Sequence, residues 1–316
     1  MTAERNHDHE RSGHSHSHAT VSKDTDSRRL WIALGLIVSF MAVEVVVGVL
    51  VHSLALLSDA AHMLTDAGAL GMSLVVIRLM ARPAKGNLTF GLKRTEILSA
   101  QANGYTLLAL AFWIIYEGIH RIISPPRPGG LAILIVALVG IGVNLLATYQ
   151  LSKANRESMN IEGSFQHILT DLAAFIFTAI AGAVILFTGF VRADGIASLI
   201  IAVIMIRAAY GLLRDSGRVL LEIAPEDIDV NALGRALAQH PHVENVHDLH
   251  VWTVASGFPS LSAHILVHPG DDCHAIRRAL EQLIDKDFGI DHTTLQVDHS
   301  PEQLLSIADP STRNRS

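Results

Sequence analysis

The chain has 316 residues, a net charge of −6 and 50% hydrophobic residues, with only 17% charged. Soluble domains average about 25% charged residues, so the apolar excess argues against an ordinary soluble core, and the mild charge gives nucleic acid no footing. The single cysteine, Cys273, excludes an intrachain disulfide and any paired-cysteine redox or zinc-ribbon motif.

Residues 1–29 are polar, with spaced histidines at His7, His9, His14, His16 and His18. They lack an apolar run after a basic start, so they do not resemble a signal peptide. Their composition predicts a disordered tail, which either collects metal weakly or has no effect on rate. Six apolar segments follow, at about 30–51, 55–80, 97–120, 130–151, 162–188 and 194–214. Each is near the ~20 residues that a helical span needs. The breaks between them are short and polar or rich in Pro and Gly, as in "ARPAKGNLTFGLKR", "SPPRPGG" and "SKANRESMN". This pattern predicts a helical membrane bundle. Lys and Arg gather on one side, at Lys23, Arg28, Arg29, Arg82, Lys85, Lys153 and others, against Arg121, Arg127 and Arg192 on the other. That bias predicts cytoplasmic N- and C-termini, with Trp31 as an interface anchor.

After about residue 222 the pattern changes. "EDIDVNALGRALAQH" has helical spacing, "VENVHDLHVWTV" and "SLSAHILVH" alternate as strands, "DDCHAIRRALEQLIDKDF" reads as a helix and "TTLQVDH" as a last strand. The order αββαβ predicts a small α+β domain with two helices on one face of a three-stranded sheet. The expected organisation is a tail over 1–29, a six-helix transmembrane domain over 30–215, the α+β domain over 222–300 and a C-terminal tail over 301–316.

Two apolar spans carry ionisable residues. "SLALLSDAAHMLTDAGALGMSLVV" holds His62 and Asp66, and "FQHILTDLAAF" holds His167 and Asp171. Ionisable residues inside a span cost at least roughly 2.5–3.5 kcal/mol on insertion scales, so they point to function. Each pair is spaced i, i+4 and therefore lies on one helix face. Two such faces can close two nitrogens and two oxygens around one ion, a set that suits tetrahedral Zn²⁺. The plainer alternative is that these residues only join helices by hydrogen bonds, but matched pairs at ligand spacing exceed what that needs. For Asp59, Glu44, Asn103 and Asn144 the plainer reading competes on equal terms.

Several motifs in order, "SDAAHMLTD", "FGLKRTEILSAQANG", "GSFQHILTDLAA" and "VHDLHVWTVASG", resemble those of the cation diffusion facilitator family in its zinc-transporting branch, over about 30–300. The resemblance implies a homodimeric metal/proton antiporter with six spans per subunit and a metallochaperone-like cytoplasmic domain. It puts the transport site on His62, Asp66, His167 and Asp171. Some relatives carry a second site in the loop after the second span; here "ARPAKGNLTFGLKR" has no His, Asp or Glu, so none is expected. The family's cytoplasmic ligands would fall on His247, His264, His274 and Asp298, and a further one on Gln296, which breaks a complete two-metal centre. His247 and His264 fall on adjacent strands and could meet; His250, His268 and His299 read as ordinary surface residues.

The expected activity is export of Zn²⁺ across an inner or plasma membrane, driven by proton entry, with Cd²⁺ and Co²⁺ as further candidates. An intramembrane zinc hydrolase would need an open metal position and a general base, and no HExxH motif occurs, so an enzyme is not expected. A membrane-bound metal sensor or buffer would leave the four ligands in the spans without a purpose.

Overall fold

The computed structural model describes residues 17–50, 54–124 and 130–300, with side chains from Asp26 onward except at 47–48, 54–62, 65, 130 and 132–133. Residues 1–16 of the histidine-rich tail, Arg127, the segment 301–316 and the side chains of Asp59 and His62 lie outside what is described.

Six long helices precede the C-terminal domain: α1 (Ser17–Leu50), α2 (Leu54–Met80), α3 (Thr95–Ile123), α4 (Gly130–Ser152), α5 (Met159–Thr188) and α6 (Ala193–Leu220). Among the described residues, α1, α3, α4, α5 and α6 are long and apolar enough to cross a membrane. α1 starts well before its apolar segment. No Gly or Pro interrupts 17–29, so the helix runs on past the expected tail boundary.

The chain divides into two compact units. One holds α1, α2 up to Arg78, α3 from Ala109, α4, α5 from Ile161 and α6 up to Ile206; the other holds Leu79–Leu108, Glu157–Asn160 and the described residues from Arg207 onward. In the first unit, α1 buries Leu30, Ala33, Ile37 and Phe40 at three- and four-residue steps and exposes Val38, Val43, Val45 and Val46. Apolar side chains on the outside are what lipid as solvent allows. Lipid also removes the hydrophobic drive between helices, so close packing of small residues must replace it. Ala33 and Ala147 are fully buried where α1 meets α4. Gly140 of α4 receives the ring of Phe175 from α5, so that an added Cβ would stand 2.4 Å from that ring. Phe175 in turn packs edge-on against Phe40, with ring centroids 6.5 Å apart. Gly118 and Gly195 let α3 and α6 touch, and there Arg121 bonds Asp194 at 2.6 Å.

The second unit contains the α+β domain: α7 (Val230–Ala238), β1 (Val243–Ala255), β2 (Phe258–Val267), α8 (Cys273–Phe288) and β3 (His292–His299). The sheet order is β1-β2-β3, with β1 antiparallel and β3 parallel to β2. Asp229 and Asp272 cap α7 and α8 by accepting from N–H groups of their first turns, and Gly289 ends α8 at φ 67, a left-handed cap suited to glycine. Leu233 and Leu237 of α7, Ile276, Leu280 and Ile284 of α8, and Leu261, Ala263, Ile265 and Val267 of β2 form one core.

The same unit ties this domain to helix ends. Glu96, fully buried at the start of α3, accepts from the Ser256 N–H at 2.5 Å and the Ser158 hydroxyl at 3.0 Å. Ser256, in the β1–β2 turn, accepts from the Met159 N–H at the start of α5. Lys93 lies 3.5 Å over the Phe258 ring, and Arg94 pairs with Glu222 at 3.2 Å.

Overpacking at the α4–α5 contact tests the bundle. Gly140→Val must displace Phe175 and should destabilise the protein by about 1–3 kcal/mol, read as a lower thermal midpoint in detergent. Unchanged melting in a correctly inserted variant would mean that the two helices are not in contact at Gly140.

Candidate metal centre

α2 and α5 meet through polar groups. The hydroxyls of Ser73 and Ser164 lie 2.6 Å apart, both buried. Further along the same antiparallel seam, the Nε2–H of His167 donates to Asp66 Oδ1 at 2.7 Å. Asp171 follows His167 by one turn on the same face of α5. Asp66, His167 and Asp171 are all buried, and one donor atom from each lies within 4.8 Å of the others. His167 Nδ1 is buried without a hydrogen-bond partner among the described residues, and Thr170 donates to the His167 carbonyl at 2.6 Å. His62 occupies α2 one turn before Asp66, on the face that carries Asp66.

The chemistry of this group is constrained. Two carboxylates and a neutral imidazole carry two negative charges, which balance one divalent cation. Without a cation, bare carboxylates in a low-dielectric bundle are costly. Protons can supply the missing positive charge at the carboxylates or the imidazole. The hydrogen bond between His167 Nε2 and Asp66 Oδ1 occupies two atoms that would both have to face a metal ion. Imidazole and carboxylate must release such protons to coordinate.

Three of the four expected transport ligands are thus brought together. Glu44, Asn103 and Asn144 are also buried, and Asn144 donates to the Gly140 carbonyl of its own helix at 3.1 Å.

In the C-terminal domain, His247 and His264 are register partners across β1 and β2, with ring centroids 5.3 Å apart. Asp248 joins them, its Oδ2 standing 4.0 Å from His264 Nδ1, and one donor atom from each of the three lies within 4.8 Å of the others. All three side chains are exposed. Strict strand alternation sets Asp248 on the face opposite His247, so reading the sequence missed it. A register irregularity between His247 and His250, with Asp248 at φ 50, re-aims it. Gln296 pairs with His264 across β2 and β3, so a neutral amide stands in the row where the family would place a ligand. The amide of Gln296 donates to Asp298 at 2.7 Å. His274, in the first turn of α8, gives its backbone N–H to the capping Asp272. Neither His274 nor Asp298 belongs to the His247–Asp248–His264 group.

The cation efflux transmembrane domain matches residues 30–221, and the cation efflux protein cytoplasmic domain matches residues 225–300. A Bacillus subtilis protein named cadmium, cobalt and zinc/H(+)-K(+) antiporter is 34% identical over 282 residues, covering 88% of this chain and 90% of its own. The metal cation efflux system protein CzcD of Cupriavidus metallidurans is 37% identical over 288 residues, covering 90% of each chain. The zinc transporter ZitB of Escherichia coli is 36% identical over 291 residues, covering 91% of this chain and 92% of its own.

If Asp66, His167 and Asp171 hold one ion together, removing any one opens the shell and should affect the others' ability to bind. Asp171→Ala is expected to abolish zinc binding at this centre while the protein still inserts and dimerises. Metal counting on the purified variant checks this, and undiminished bundle-bound zinc in Asp171→Ala would refute a shared site.

Proposed function

The chain belongs to the cation diffusion facilitator, or cation efflux, family, and we propose that it exports Zn²⁺ in exchange for protons through His62, Asp66, His167 and Asp171, with Cd²⁺ and Co²⁺ as further substrates. The observation that carries this reading is the buried hydrogen bond from His167 Nε2–H to Asp66 Oδ1. A proton and a divalent ion compete for the same two atoms. The empty site can cross back only with its charge neutralised by protons, because bare carboxylates resist burial. That obligation couples metal movement in one direction to proton movement in the other.

The protein works as a multi-pass membrane homodimer. Both termini and the domain over 222–300 face the cytoplasm, in line with the Lys and Arg bias. His274 and Asp298, which the family resemblance adds, stand outside the group of His247, Asp248 and His264. His247 and His264, with Asp248 as an added donor, form the regulatory metal site of that domain. Their exposure suits reversible occupation by cytoplasmic zinc, and their separation from the bundle residues in sequence suits control rather than conduction.

Zinc uptake into everted vesicles under an imposed pH gradient tests the activity. Flux should require the gradient and should vanish in Asp66→Ala. Flux that ignores the gradient would remove the antiport mechanism. Ligands must shed their protons to coordinate the metal, so protons and zinc compete directly. Zinc affinity should therefore fall as pH drops from about 8 to about 6, and binding should release at least one proton. Calorimetry in buffers of different ionisation enthalpy measures that release, and its absence at the unmodified site would contradict the coupling.

Selectivity follows from the donor set. His62→Asp replaces a nitrogen by oxygen and adds negative charge, which suits larger ions. The variant should keep zinc transport but discriminate less against Cd²⁺. An unchanged Zn²⁺/Cd²⁺ ratio would place His62 outside the site.

A further inference from the structure

One end of the cytoplasmic sheet gathers a second set of donors. Cys273 opens α8 and sets its Sγ 3.4 Å from Nε2 of His299, the last residue of β3. His299 Nε2 also stands 3.0 Å from the main-chain oxygen of Asp271. The Asp271 carboxylate meets His242 Nδ1 at 3.2 Å. Three separate parts of the chain converge here: the residues before β1, the β2–α8 connection and the end of β3.

This set lies apart from the His247–Asp248–His264 group. Along β3, Leu295 and Val297 pack into the core with α7 and α8. His299 continues that two-residue step, whereas Gln296 and Asp298 take the opposite face. Its register partner Val267 is fully buried, while His264 on the same strand is exposed. The two groups therefore sit on opposite faces of the sheet.

The spacing fits a metal. Tetrahedral zinc bonds of ~2.3 Å to sulfur and ~2.0–2.1 Å to imidazole nitrogen put the two ligand atoms about 3.5 Å apart. The sulfur stands 3.4 Å from Nε2 and 3.9 Å from Nδ1, so the imidazole has to turn in place to aim one nitrogen at an ion shared with the thiolate. We propose that Cys273 and His299 anchor a second cytoplasmic site for a thiophilic divalent ion, Zn²⁺ or Cd²⁺. The main-chain oxygen of Asp271 supplies an oxygen donor, and the contact of the Asp271 carboxylate with His242 holds that stretch of chain in place. On binding, the thiol loses its proton to solvent, and the neutral imidazole shifts its hydrogen to Nδ1 so that Nε2 can coordinate. A sulfur donor makes this site softer than the nitrogen-and-oxygen site in the bundle, so it ranks Cd²⁺ higher.

Cys273 is the sole cysteine of the chain, so any cadmium–thiolate charge-transfer absorption reports on this place alone. The experiment titrates the full-length detergent-solubilised protein, under reductant, with Cd²⁺. The band should saturate at one equivalent per chain and persist in the His247→Ala/His264→Ala double variant. It should be lost at the same cadmium concentration in His299→Gln, and return with greater intensity in His299→Cys, which provides a second sulfur. Zinc should also slow maleimide labelling of Cys273 in the unmodified protein but not in His299→Gln. Absence of the band at saturating Cd²⁺, or equal affinity and equal protection in His299→Gln, would overturn the proposal, since the thiol would then act without the histidine.

Discussion

A hydrogen bond between His167 and Asp66, buried between two otherwise apolar helices, is the constraint around which the bundle is organised. In water such a bond adds little, because each partner has solvent to bond instead. Between spans no solvent competes, and an unsatisfied carboxylate would be far more costly than the bond is favourable. The helices must therefore stay close enough to keep these groups satisfied, and in the proposed exchange a proton does so in one state and a metal ion in the other. The need for satisfaction is permanent, while the satisfying species changes. An antiporter requires this combination.

Holding α2 and α5 together is demanding because lipid gives no general reason for helices to associate. The bundle meets the demand with contacts that depend on shape. The Ser73–Ser164 pair fixes the seam near the site. Phe175, one turn beyond Asp171, is set into the space left by Gly140 and braced by Phe40. A change in the α4 backbone at that glycine would be felt by the helix that carries His167 and Asp171. In the second unit, Glu96 plays a comparable part. Its buried carboxylate gathers donors from the α4–α5 connection and from the β1–β2 turn. Such a charge-assisted group is worth about 1.5–3 kcal/mol per hydrogen bond, and the turn and the start of α5 share it through Ser256.

The cytoplasmic domain shows how a regular pattern and one irregularity divide the work. Its core follows from alternation in the strands and three- to four-residue steps in α7 and α8, both plain in the residue order. That regularity delivers His247, His264 and Gln296 to one row across three strands. The irregularity at Asp248 brings a carboxylate to the two histidines, where the amide of Gln296 cannot serve in the same way.

The sequence by itself determined the six apolar helices, the αββαβ order and the pairing of His167 with Asp171, because each of these depends on local periodicity. A helix places i and i+4 on one face whatever surrounds it, and a strand alternates wherever it lies. Family motifs added the assignment of ligands that periodicity alone leaves open. What periodicity does not contain is which faces meet. The 2.7 Å approach of His167 to Asp66 joins residues from two helices far apart in the chain. The gathering of Glu96, Ser158 and Ser256 joins three such segments. Asp248 reaches His264 only through a break in the pattern, and His299, an ordinary surface histidine by composition, meets Cys273 only because β3 ends beside the start of α8. Those contacts depend on packing between distant segments, so only the tertiary structure decided them.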